Sequence, residues 1–149
     1  MAITNLKDIS VSNYSKFEIK NASAWVVVGE VTDMSGFTGE STIVDVMQYG
    51  KRFARRLVGS ATAGPINVSA AWKPTDAGQM AMEKSFKDAT PQNFRVTFYA
   101  DATQTKGISS EFAGYVSSFS LENAFDSART MTCAVAVDGA LGDWADATV

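Results

Sequence analysis

Histidine is absent from this sequence, and cysteine occurs once, as Cys133. Without imidazole there is no Ser-His-Asp or Cys-His nucleophile and no usual nitrogen ligand for a metal. One cysteine forms neither an internal disulfide nor a multi-cysteine zinc site. In the alternating run "RTMTCAVAV" it reads as a small buried hydrophobe. Long apolar runs are lacking too: "AWVVV" at 24–28 is far too short to span a bilayer. The start, "MAITNLKDIS", lacks the basic-then-apolar layout of a secretory signal, so synthesis and retention in a cytosol-like compartment is the expectation. The Asn-x-Ser triplets at Asn13, Asn21 and Asn67 are accordingly read as chance. "GSATAG" at 59–64 is glycine-bounded but has no following Lys-Ser/Thr, which a phosphate-cradling loop requires. The 16 acidic residues show no spacing that marks a carboxylate pair for catalysis. No enzymatic activity, cofactor or metal is expected.

What is present fits one globular domain. The 149 residues are long enough to bury roughly two-thirds of the unfolded surface, and 46% hydrophobic with 19% charged residues excludes wholesale disorder. The formal net charge is −3, yet "VMQYGKRFARRLVGSATAGP" at 46–65 concentrates Lys51, Arg52, Arg55 and Arg56 beside Tyr49, Phe53 and Leu57, between Gly50 and Gly59. Val46, Tyr49, Phe53 and Leu57 fall at helical spacing, but Gly50 weakens such a helix by ~1 kcal/mol relative to Ala. An alternating strand and an irregular segment that orders against a partner fit the same residues, so its local structure stays open.

Elsewhere the pattern is mostly β. A mixed N-terminal arm (1–20) holds a short strand near Phe17–Ile19, and "AWVVVGEV" (24–31) reads as a strand covered on both sides at one end. "TDMSGFTGE" (32–40) has the composition of a turn, and "ESTIVDVM" (40–47) returns to strand. "PINVSAAW" (65–72) alternates Ile66, Val68, Ala70 and Trp72 against small polar residues. Asp76 and Gln79 form a capping-box pattern that opens a helix over about 76–88, with Met82 and Phe86 on one face and Glu83 and Lys87 paired. "FRVTFYA" (94–100), "ISSEFAGYVSSFSL" (108–121, with a bend expected at Gly114) and "RTMTCAVAV" (129–137) complete about seven strands. An antiparallel β-sandwich or partial barrel with one flanking helix follows. Two features exceed what a self-contained sandwich needs: the long basic 46–64 segment, and arms carrying Tyr14, Phe17 and Trp144 without evident local partners. These are what a subunit presents to neighbours.

The order of features resembles the major tail tube proteins of long-tailed bacteriophages over roughly residues 24–140. The resemblance is carried by "AWVVVGEVTDMSGFTGEST", the long loop "VDVMQYGKRFARRLVGSATAGP", "PINVSAAWKPTDAGQMAMEKSF" running into the helix, "NFRVTFYADA", and "SSEFAGYVSSFSLENAFDSARTMTCAVAVDGAL". Within the last, Phe112, Gly114 and Val116 form an aromatic-x-Gly-x-Val signature ahead of an acidic turn and a final strand ending in Asp-Gly. The resemblance implies one tail-tube domain (1–149) with an N-terminal arm (1–20), an inter-ring loop (46–64) and a C-terminal arm (138–149). It implies a structural virion subunit whose strands complete an inter-subunit β-barrel in a hexameric ring. Stacked rings would form the hollow tube that conducts double-stranded DNA. Other tail proteins (tape measure, terminator, tip) would be partners, assembly would take place in the host cytoplasm, and no membrane would be involved. In that reading Tyr49, Lys51, Arg52, Phe53, Arg55, Arg56 and Leu57 contact a neighbouring subunit. The acidic tail around Trp144, with Asp138, Asp143 and Asp146, is a candidate counterpart. Thr130, Thr132, Ala134, Ala136, Ser117 and Ser118 would line or back the wall. Direct DNA binding by the four bases and an ordinary solvated loop remain as alternatives, as do a contractile-tail, secretion or bacteriocin tube subunit and a stand-alone binding module.

Overall fold

The computed structural model describes residues 3–21 and 23–147. Ten strands and one helix are present among the described residues. In chain order they are β1 (Ser15–Asn21), β2 (Ala24–Val27), β3 (Val31–Ser35), β4 (Gly39–Val46), β5 (Arg55–Ala63), β6 (Ile66–Ala71), α1 (Ala77–Asp88), β7 (Gln92–Tyr99), β8 (Gly107–Glu122), β9 (Thr130–Asp138) and β10 (Ala145–Ala147). All pairings are antiparallel. One sheet runs β2-β1-β7-β8-β9-β6-β3, with β10 added beside β8, and β4 and β5 pair only with each other.

The 16-residue β8 turns this sheet into a sandwich. Its first half pairs with β7 on one side and β10 on the other, and its second half pairs with β9. The β8–β9 register shifts between Val116 and Ser118, and such a bulge bends and twists a strand. The two halves of the sheet then share one core. Phe17 and Ile19 of β1, and Phe94 and Val96 of β7, meet Phe112 and Val116 of β8. From the other half come Met131, Cys133 and Val135 of β9, and Ile66, Val68 and Ala70 of β6. The phenylalanines pack in series, Phe17 tilted against Phe94 at 5.8 Å and Phe94 stacked on Phe112 at 5.5 Å. Burial raises the Cys133 thiol to about 12, with Glu83 adding to the shift, which leaves the side chain an inert packing group.

Helix α1 closes the core, packing on β8, β1 and β2. Asp76 is its N-cap, accepting from the Gln79 amide at 3.0 Å and from the Gly29 amide at 3.1 Å. Gln79 is fully buried and satisfies three backbone groups: its Nε2 donates to the Gly29 and Ala71 carbonyls, and its Oε1 accepts from the Lys73 amide. The capping pair therefore ties the helix to the body. Gly78 makes the approach possible, since a Cβ there would lie 2.2 Å from the Val27 carbonyl oxygen.

Several expectations are corrected. The single strand over 24–31 is two strands, separated by Val28–Glu30, with Glu30 left-handed at φ 58°. The stretch 32–40 is strand to Ser35, and its loop is only 36–38, because pairing with β6 outweighs the local turn composition. Met82 is buried but Phe86 is 40% exposed: the helix faces the sheet with Gly78, Gln79, Met82 and Ser85, so the small and amide residues set the contact face. Gly114 is not the bulge. A Cβ there would meet the Ala136 carbonyl oxygen at 2.5 Å, so the glycine answers a close backbone approach. Of the N-terminal arm, residues 15–20 belong to β1, and Phe17 lies in the core. Trp144 has a partner, stacking on Phe98 at 5.0 Å, and Phe37 meets the same ring edge-on at 6.0 Å. Those partners are distant in sequence and so invisible to local pattern. The ends of both arms, at 1–2 and 148–149, lie outside the described residues.

Candidate inter-subunit contact site

The basic segment is not a helix: its first half, with Lys51 and Arg52, is a connection of turns and bends, and its second half, from Arg55, is strand. It is the outer part of a two-stranded ribbon, β4 and β5, joined by residues 47–54. At the tip the Lys51 amide donates to the Gln48 carbonyl, and Gly50 sits at φ 77°. That left-handed conformation at the third turn position is one glycine adopts without strain. The ribbon continues the β3–β6 ladder outward past a break at Gly36–Thr38 and Gly64–Pro65. Gly36 lies at φ 95°, and a Cβ on it would sit 2.1 Å from the Pro65 carbonyl oxygen. A Cβ on Gly64 would sit 2.3 Å from Thr38 Oγ1. The two strands are pinched together here, and the Gly64 amide donates to the Thr38 carbonyl.

Beyond the pinch nothing among the described residues covers the ribbon. Ile43 opposes Val58 and Asp45 opposes Arg56 on one face; Val44 opposes Leu57 and Val46 opposes Arg55 on the other. Each face thus carries an exposed apolar cross-strand pair. At the tip Met47, Tyr49 and Phe53 are also exposed, Tyr49 completely. A two-stranded ribbon without a third strand or a packed face is marginally stable in water. Local pattern found Tyr49, Phe53 and Leu57 but passed over Ile43, Val44, Met47 and Val58. The β-branched alternation of "TIVDVM" was the available signal for them.

The four bases do not behave alike. Arg56 Nε donates to Asp45 at 3.1 Å across the strands, an ion pair that stays largely in solvent. Arg52 lies over the Phe53 ring at 5.7 Å. No ion pair engages Lys51, Arg52 or Arg55 among the described residues, which leaves three cations at the tip beside two aromatic rings.

Asp143, Trp144 and Asp146 are placed elsewhere, on the C-terminal segment against β8. Asp143 is exposed. Asp146 is occupied: its carboxylate accepts from the Thr4 amide at 2.9 Å, the Asn5 amide at 3.0 Å and the Thr4 hydroxyl. Asn5 Nδ2 donates to the Gly107 and Ala147 carbonyls, completing a clip between the two ends of the chain. The Thr4 hydroxyl, followed by the Asn5 and Thr4 amides, holds the Asp146 carboxyl below its usual value of 3.8. Among the described residues no cluster of acids or cysteine has the arrangement of a metal site, and no helix is long and apolar enough to cross a membrane.

The chain is a helix-capped β-sandwich with an uncovered apolar and basic ribbon. Residues 11–144 match the family described as "Lambda phage tail tube protein, TTP", and the chain belongs to that family. No curated protein matches it in sequence. Among solved structures it is similar to the SPP1 tail tube, at 15% identity and a TM-score of 0.70, over 95% of this chain and 80% of that one. It is similar to a chain of the tail of an empty gene transfer agent particle with C6 symmetry, at 16% identity and a TM-score of 0.67, over 85% and 92%. A chain from the sheath-tube complex of an extracellular contractile injection system also shares the fold, at 8% identity and a TM-score of 0.71, over 97% and 95%. The protein is thus a structural tail tube protein of the virion.

Proposed function

We propose that residues 1–149 form one tail-tube domain that assembles into six-membered rings, and that stacked rings make a hollow conduit for double-stranded DNA. The role is architectural, without catalysis. The observation that carries the reading is the uncovered ribbon. Its apolar pairs on both faces need partners on both sides, which a ring of identical subunits supplies. The C6 symmetry of the gene transfer agent tail supports the ring number by analogy of fold. Strands from neighbouring subunits would complete a barrel and so remove the open edges of β4 and β5.

The 46–64 segment is assigned to subunit–subunit contact, with Tyr49, Lys51, Arg52, Phe53, Arg55, Arg56 and Leu57 as its residues. Phosphate contacts would use the cations but leave the aromatic rings and Leu57 in water; a protein surface covers both. Asp143 and Trp144 belong to the C-terminal arm. Trp144 and Asp146 act there through intrachain packing and the clip to Thr4 and Asn5.

The lumen is assigned to the outer face of the second half-sheet. The strands β3, β6 and β9 and residues 117–122 of β8 contain no Lys or Arg. Thr130, Thr132, Ala134, Ala136, Ser117 and Ser118 give this face small side chains. Ser117 Oγ donates to the Ala134 carbonyl at 3.1 Å, and Ser120 Oγ to the Thr132 carbonyl at 3.4 Å. Hydroxyls bonded to their own sheet and a face without cations offer passing phosphates little to hold. Assembly would take place in the host cytoplasm with tape-measure, terminator and tip proteins as partners.

The test is negative-stain electron microscopy over a concentration series, with light scattering in parallel. Hollow tubes or six-fold rings are expected from the parent protein. The variant Arg52→Glu/Arg55→Glu should keep its circular dichroism spectrum and fail to form tubes. A strictly monomeric parent that binds a small ligand tightly would replace the tube with a binding module.

A further inference from the structure

We propose that the ribbon tip of one subunit docks into the ribbon root of a second copy. The receiving recess is built from Phe37, Gly39, Ala61, Ala63, Ala140 and Leu141, and the inserted side chain is Phe53. The proposal rests on the tail-tube reading and names the partner surface of its contact site.

The recess has a volume of about 450 Å³ and lies where β3 passes into β4, where β5 ends, and where the 139–141 loop follows β9. Small side chains and backbone form most of its wall, so it accepts an aromatic ring. Its charge is one-sided. Asp138 and Asp143 flank the 139–141 loop and Glu40 follows Gly39, all three exposed. No Lys or Arg occurs in 36–40, 60–64 or 138–143. The tip is its complement: Phe53 is 78% exposed, with Lys51, Arg52 and Arg55 around it and, among the described residues, no ion pair on any of the three. A basic, aromatic projection and an acid-flanked apolar recess on the same chain are self-complementary. They cannot meet within one subunit. Between Arg55 and Ala61 lies most of β5, about 20 Å at ~3.3 Å per residue. The contact is therefore heterologous, tip of one copy to root of the next, and a heterologous contact repeats along a chain of subunits rather than closing a dimer. The aromatic insertion supplies apolar burial, and the three cations against three carboxylates supply direction.

Cross-linking tests this directly, because buried Cys133 leaves the protein without a competing reactive thiol. The Phe53→Cys/Ala61→Cys variant is assembled and mildly oxidised. A disulfide needs Cα atoms closer than ~7 Å, which the length of β5 forbids within one chain. The expected result is a ladder of covalent oligomers on a denaturing gel. A mixture of the two single variants should give a cross-linked dimer containing one of each. A ladder ending at six would place the contact within a ring, and one continuing past six would place it between rings; both support the docking. Tubes that form normally from the double variant but yield no ladder would overturn it and leave the tube reading intact. A parent protein that stays monomeric and binds a small ligand tightly would overturn the tube reading itself. As a second arm, Gly39→Phe adds a ring to the recess wall at a position where a Cβ meets nothing within 4 Å. It should fold normally and lose tubes, and unimpaired assembly would also count against the docking.

Discussion

Glu18 carries the clearest conflict between local pattern and environment. It alternates outward from Phe17 and Ile19, yet it is only 3% exposed. Arg95 of β7 lies opposite and donates from Nε at 3.0 Å and Nη2 at 2.7 Å, while Lys16 Nζ stands 3.3 Å away. The Arg95 guanidinium stacks over Trp25 at 4.6 Å, and its hydrogen bond to Glu18 raises its pKa. Removing one partner leaves a buried charge unpaired, whereas removing both lets apolar groups fill the space. Arg95→Met leaves Glu18 with Lys16 as its remaining partner, so it is expected to cost about 2 kcal/mol, below the range for a buried charge left wholly uncompensated. Glu18→Leu/Arg95→Met should recover most of that loss in urea unfolding. A double variant no more stable than Arg95→Met would refute the coupling. Nothing local to Glu18 points to Arg95, which comes close only through the β1–β7 register. Gln79 was legible as a capping residue but not as a buried clamp, since Gly29, Ala71 and Lys73 reach it through the fold.

Among the elements, the helix was read almost to its ends, because its signals are local: Asp76 caps it, and Glu83 and Lys87 pair at 2.8 Å one turn apart. The strand over 24–31 was misjudged because its break at Glu30 depends on α1 seating against the turn through Asp76 and Gln79. β10 was not foreseen at all. Three residues have no readable period, and Ala145–Ala147 is a strand only because β8 offers an edge and Asp146 holds Thr4 and Asn5 beside it. The folded Asp146 carboxyl titrates below its usual 3.8, so the ionised form is favoured in the clip. The clip is present above the unfolded value and is lost as pH falls through the folded one. Amide exchange at Thr4 and Asn5, followed from about pH 5 to about pH 2, should show protection lost at the acid end. Asp146→Asn should remove that pH dependence. Amides unaffected by acid would show that the segment is held by other contacts.

For the whole molecule, the distribution of charge matters more than its total of −3. Lys51, Arg52 and Arg55 stand together at the ribbon tip, whereas the strands β3, β6 and β9 contain no Lys or Arg. If that half-sheet lines the conduit, Thr132→Lys should assemble into tubes of ordinary appearance that retain short duplex DNA at low salt and release it as salt rises. Tubes that hold no more DNA than the parent would remove this face from the lumen. The substitution is mild for the subunit, because Thr132 points away from the core between Met131 and Cys133.

By itself the sequence determined the class of structure and of function. Alternation over 65–72, 94–100 and 129–137 requires strands with one apolar face, and Asp76 through Lys87 requires a helix. The missing histidine removes the usual catalytic centres. Those properties depend on neighbours within a few positions. Its resemblance to the tail tube family was legible in the order of the same segments. Only the tertiary structure decided that residues 55–63 are a strand, that Arg56 pairs with Asp45 across the ribbon, and that Trp144 stacks on Phe98. It also brought the recess at the ribbon root together from three separated stretches of chain. The physical reason is the same in each case: cross-strand register and the Gly36–Gly64 pinch join residues far apart in sequence, and contacts of that kind leave no periodic trace along the chain.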